Sequence, residues 1–171
     1  MIDGMLIATL LLLQAAAPPV DPIEQAWQGR VQCHNPDRLR KTCQSIGSYA
    51  RAADGTIQNT AVVLLNAQPV IVMTSAAPVE IRQGSVCGKI GSLDEAAFTV
   101  NGAPAPAEVT ATLREAVATA TSSIAEREIC TSYVPEGDAL MSQVLVDGVR
   151  HPDLDMRVLW VEPSEGFLVH R

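Results

Sequence analysis

Residues 45–65 read SIGSYARAADGTIQNTAVVLL, and this stretch decides the fold class. Asp54-Gly55 is a dipeptide suited to the tight turn of a β-hairpin, whose central positions need residues that tolerate positive φ. It separates two strand-length runs, 45–52 and 56–65. The second run ends in Ala61, Val62, Val63, Leu64 and Leu65, a continuous apolar string of the kind a strand shows when both its faces are covered.

The β pattern extends on both sides, from residue 42 to residue 100. Gln68-Pro69 interrupts the apolar string, and 70–74 forms the next strand. Val79 and Ile81 alternate with Glu80 and Arg82, which puts the apolar pair on one face. Gln83-Gly84 turns the chain into a strand at 86–90, and 98–100 makes a short one ending at Asn101-Gly102. Beyond Ala103-Pro104-Ala105-Pro106 the period changes. Val109, Leu113, Ala116, Val117, Ala120 and Ile124 fall on one stripe at helical spacing, predicting a single amphipathic helix over about 107–128. Its alanines and threonines make the stripe thin, which suits close packing on a sheet. The chain then returns to strands at 140–146, 149 onward, 158–161 and 167–169. Met141 and Leu145 stand as core candidates, Trp160 as a core or half-buried anchor, and Tyr133 as packing against the disulfide of Cys130. Strands, one helix and strands again read as an α+β fold, mostly antiparallel sheet, and not a wound parallel sheet.

The amino terminus points to export. Met5-Leu-Ile-Ala-Thr-Leu-Leu-Leu-Leu13 is followed by Gln14, Ala15-Ala16-Ala17 and Pro18-Pro19. That is the layout of a secretory signal peptide with a small-residue cleavage site, although residues 1–4 carry Asp3 and no Lys or Arg. The run is too short for a membrane helix, which takes ~20 apolar residues. The expected organisation is a signal peptide at 1–17, a flexible linker at 18–22 and one globular domain at 23–171. Residues 23–30 have the makings of one or two helical turns, with Asp21 as cap, Pro22 at the first helical position and Trp27 as the anchor to the body.

The four cysteines, Cys33, Cys43, Cys87 and Cys130, are an even count downstream of that leader. They allow three pairings. The expected set is the local bridge Cys33–Cys43 with Cys87–Cys130, the latter tying a central strand to the end of the helix. There is no C-x-x-C for redox exchange, and the later cysteines lack the close partners zinc sites use.

Charge and composition narrow the function classes. A net charge of −7 argues against a general nucleic-acid binder, which neutralises phosphates with a basic surface. Two Trp, two Tyr and two Phe leave few stacking platforms. Motifs for a nucleophile elbow, a dinucleotide loop, a P-loop, a zincin helix and an EF-hand are missing from the sequence. Two local groups remain. Arg38, Arg40 and Lys41 concentrate positive charge between Cys33 and Cys43, a candidate contact for an anion or an acidic envelope or protein partner. His151, Asp153 and Asp155 combine an imidazole with two carboxylates, the donor types of a divalent metal site. Their spacing is also that of a turn at His-Pro-Asp. The three histidines, His34, His151 and His170, read as exposed turn or terminal residues. The sequence therefore favours an exported, disulfide-stabilised binding or interaction module that needs no cofactor or metal. The alternative is an envelope hydrolase or metal-dependent enzyme using His151, Asp153 and Asp155.

Overall fold

The computed structural model describes residues 21–170, so the expected leader at 1–17 and all but the last two residues of the linker at 18–22 lie outside the described residues. Eight strands run in sequence order: β1 Val31–His34, β2 Ser45–Arg51, β3 Ile57–Ala67, β4 Val70–Arg82, β5 Ser85–Gly88, β6 Ile129–Glu136, β7 Ala139–Val146 and β8 Arg157–Val161. Each pairs antiparallel with the next, and β8 pairs back onto β1 through Val31↔Val161 and His34↔Val158. The ring is closed. The coarse α+β description therefore holds, but the sheet is an up-and-down barrel in place of an open layer. Closure satisfies both edges of every barrel strand.

The hairpin at Asp54-Gly55 forms as expected, with Arg51 opposite Ile57. Two expected strands, 70–74 and 79–82, are one 13-residue strand, β4. One edge of β4 pairs first with Ala97–Val100, at positions 71–74, and later with β5, at positions 79–82. Pro78, which has no N–H to offer, sits in the unpaired gap between those partners, where a strand tolerates proline. The chain after β5 crosses that gap closely. A Cβ on Gly91 would lie 2.2 Å from the Ala76 carbonyl oxygen. Gly91→Ala is thus expected to cost about 2 kcal/mol through forced backbone movement. It should lower the urea midpoint without changing the slope; an unchanged midpoint would show that the crossing is loose.

The helix α1 spans Ala107–Thr121, shorter than the expected 107–128. Its end is set by hydroxyls that bond back to the backbone: Thr121 Oγ1 donates to the Val117 carbonyl at 2.9 Å and Ser122 Oγ to the Thr119 carbonyl at 2.9 Å. Such bonds compete with helix continuation. Leu113 and Val117 pack outside the barrel on Met73, Ala96 and Phe98. Arg114 fixes the helix by donating to the Leu93 carbonyl at 2.8 Å.

The barrel interior is centred on Ile23, Ala26, Ile57 and Val86. The 3-10 turn Glu24–Gln28 brings Ile23 and Ala26 under one end of the barrel as a cap. Trp27, the expected anchor, is 37% exposed; its indole N–H donates to Asp21 and Arg51 lies over its ring. A third cluster lies outside the barrel wall, around the Cys33–Cys43 bridge, Val161 and Phe167. There Leu168–Val169 pairs in parallel with Thr42–Cys43.

Both expected disulfides are formed. Cys87–Cys130 joins directly opposed residues of β5 and β6, and does not reach the helix end. No helix among the described residues is long and apolar enough to cross a membrane.

Candidate barrel binding site

Strand alternation sends every second residue inward, and in this barrel many of those residues are polar. β1 contributes Gln32 and His34, while Cys33 between them faces the outer cluster. Gly47 and Tyr49 come from β2, Asn59 from β3, Thr131 and Tyr133 from β6, and Ser142 from β7. The register explains the grouping, since Gln32 lies opposite Gly47 and Tyr133 opposite Ser142.

A hydrogen-bonded triad divides the interior. Tyr49 donates to Gln32 Oε1 at 3.1 Å and Tyr133 donates to the same oxygen at 3.2 Å, with the two hydroxyls 3.4 Å apart. Burial raises the pKa of both tyrosines, most strongly Tyr49, so both hydroxyls keep their protons. Around the triad lie two chambers of about 170 Å³ each. They share Tyr49, Asn59, Thr131 and Tyr133 as walls. One continues past Ala77, Val79 and Val86 to Lys89 and Ile90; the other holds Gln32, His34, Ala61, Val144 and Met156. A cavity of about 150 Å³ accommodates a molecule the size of benzene.

Two buried polar atoms in the second chamber have no hydrogen-bond partner: Gln32 Nε2 and His34 Nδ1. Gln32 is 1% exposed. Its Oε1 already accepts from two hydroxyls, which fixes the amide and leaves the Nε2 donor over. Leaving a buried donor unpaired costs roughly 1–3 kcal/mol. A Cβ on Gly47 would lie 3.3 Å from the His34 ring and 3.5 Å from Gln32 Oε1, so the glycine lets both side chains pack closely against β2.

His34 was expected on an exposed turn, and instead lines this chamber. Desolvation lowers its pKa from 6.5 to about 4, against a smaller upward pull from a hydrogen bond with the Ser45 backbone. The ring is neutral at pH 7. Between the two values the unfolded chain takes a proton that the folded chain refuses, so stability falls as pH drops from 6.5 towards 4. The loss attributable to His34 is about 3 kcal/mol and is complete near pH 4. Unfolding free energies of wild type and His34→Gln, followed from pH 7.5 to 4.5, should diverge by most of that amount. Parallel curves would place the ring in solvent.

The other sequence candidates lie apart from the chamber. Arg38 pairs with Asp138 at 2.8 Å, Arg40 with Asp37 at 3.8 Å, and Lys41 donates to the Glu165 carbonyl at 2.9 Å. All three cations rest against the protein's own acceptors, leaving Leu39, 99% exposed, at the loop tip. His151 Nδ1 lies 3.6 Å from Asp153, but Asp155 turns away to a two-pronged pair with Arg150 and accepts from the Val144 N–H at 3.1 Å. That pairing lowers the pKa of Asp155. Among the described residues no group of three His, Cys, Asp or Glu is placed to hold a metal ion.

Three further expectations are corrected by the alternation. Tyr133 is three residues from Cys130, hence on the opposite face, and packs inside the barrel. Ala139, Ser142, Val144 and Val146 are the buried residues of β7, while Met141 and Leu145 are only partly buried, with Leu145 beside the Cys87–Cys130 bridge. The sequence did not single out Gln32, Tyr49, Asn59 or Tyr133 as site residues; a signal was present on two strands, where Gln32 with His34 and Thr131 with Tyr133 put polar side chains at period two. No protein-family model, curated protein or solved structure matches this chain.

Proposed function

We propose that the chain is exported and acts as a binding module whose ligand site is the barrel interior. The observation that carries the binding reading is the pair of unpartnered buried atoms, Gln32 Nε2 and His34 Nδ1, in one chamber. An eight-stranded barrel is wide enough either to be filled by side chains or to hold one small ligand. Here space and unpaired polar groups coincide, the combination of a binding pocket with a few convergent polar groups. The leader pattern at residues 1–17 and the two disulfides support an oxidising compartment.

Intact mass of the protein recovered from the producing cells, native and denatured, tests both halves. The expected polypeptide begins near Pro18, and the native species carries an extra small mass that denaturation releases. Retention of Met1 would refute export. Equal native and denatured masses would count against a resident ligand.

A further inference from the structure

The chamber's chemistry specifies a ligand class, an inference that rests on the binding reading above. We propose that the chamber selects an uncharged carboxamide or lactam on a ring-sized body. Its carbonyl oxygen would accept from Gln32 Nε2, and its adjacent polar N–H edge would meet His34 Nδ1.

Gln32 and His34 are two residues apart on β1 and so point the same way, roughly 6–7 Å apart along the strand. Gly47, directly opposite Gln32 on β2, lets both side chains lie close against that strand. Gln32 Nε2 is a donor only, and it requires an acceptor. The walls that surround the pair are Ser45, Tyr49, Asn59, Ala61, Ser142 and Val144, without a carboxylate, ammonium or guanidinium among them. An ionised ligand would lose its hydration with no opposite charge to replace it, a far larger penalty than for an amide. A purely apolar ligand would leave Nε2 and Nδ1 unpaired. Only a neutral ligand with an acceptor and a neighbouring polar edge satisfies both. Ala61, Val144 and Met156 offer its body apolar contact.

Four planar probes of similar size separate the alternatives by calorimetry at pH 7.5 on the disulfide-intact protein: benzamide, benzoate, benzamidine and toluene. Benzamide is expected to bind saturably, and each of the other three at least tenfold more weakly. Gly47→Ala, whose methyl would push on the His34 ring and the Gln32 amide without removing a hydrogen-bonding group, should weaken benzamide at least tenfold; Gln32→Leu should do the same where it folds. Equal binding of all four probes, or benzamide binding untouched by Gly47→Ala, overturns the proposal. Tight toluene or benzoate binding that Gly47→Ala abolishes overturns the carboxamide class but leaves the barrel as a binding site. Absence of binding by every probe overturns the class and the barrel site together, and assigns the two atoms to ordered water.

Discussion

Replacing all four cysteines by alanine is expected to remove about 7 kcal/mol of stability, enough to leave the chain largely unfolded at 37 °C. The loops closed by the bridges have sequence separations of 10 and 43. On the chain-entropy account these correspond to about 3 and about 4 kcal/mol. A typical domain has only ~5–15 kcal/mol in total. The Cys87–Cys130 bridge carries the larger share because it pins β5 to β6 across the excursion that holds α1. Cys33–Cys43 sits in the apolar cluster outside the wall, where both residues are at most 1% exposed, so its loss also disturbs packing. Urea unfolding of the paired variants Cys33→Ala with Cys43→Ala, and Cys87→Ala with Cys130→Ala, separates the two contributions. A quadruple variant with the wild-type midpoint would show that barrel closure alone holds the fold.

Gln32→Leu is expected to cost about 2 kcal/mol, an unusual loss for a substitution that adds apolar volume to a core. The leucine removes the acceptor that Tyr49 and Tyr133 share; the hydroxyls, 3.4 Å apart, can still meet each other, which strands one donor at roughly 1–3 kcal/mol. The same substitution placed in a Tyr49→Phe, Tyr133→Phe background should be close to neutral or stabilising, because donors and acceptor then leave together and the unpaired Nε2 leaves with them. Thermal unfolding of the single and triple variants reads the difference directly. A triple variant as unstable as the single one would mean that the triad is not a coupled network. A triple variant more stable than wild type would show that the polar interior is maintained at the expense of stability, which is the pattern of functional sites.

How much of this was legible in the sequence depended on what each residue faces. The hairpin at Asp54-Gly55 and the start of α1 at Ala107 followed from turn chemistry and from a stripe of apolar residues at helical spacing. The local bridge Cys33–Cys43 followed from the short loop between its cysteines, whereas Cys87–Cys130 formed for another reason than the one expected, since it joins opposed strand residues and not a strand to the helix end. Barrel closure did not, because the pairing of β1 with β8 depends on strands that lie at opposite ends of the chain. The strand β6 was missed for a chemical reason: its inward residues, Thr131 and Tyr133, line a polar interior, so the usual apolar alternation is absent. The same polarity hid the site. Gln32 and His34 flank Cys33 and face the chamber while the cysteine faces the outer cluster, whereas the sequence placed His34 on an exposed turn. The charged loop at Arg38, Arg40 and Lys41 was conspicuous in an acidic chain, yet its charges are met locally by Asp138, Asp37 and the Glu165 carbonyl.

If the barrel interior receives a ligand through Gln32 and His34, a benzamide titration of the isotopically labelled, disulfide-intact protein, followed at the Gln32 side-chain amide and the His34 ring by nuclear magnetic resonance, will show it. Both sets of signals are expected to move saturably, with residues on the exposed face of α1 unaffected. Signals from Gln32 and His34 that stay fixed while benzamide is raised to millimolar concentrations would contradict a ligand site there.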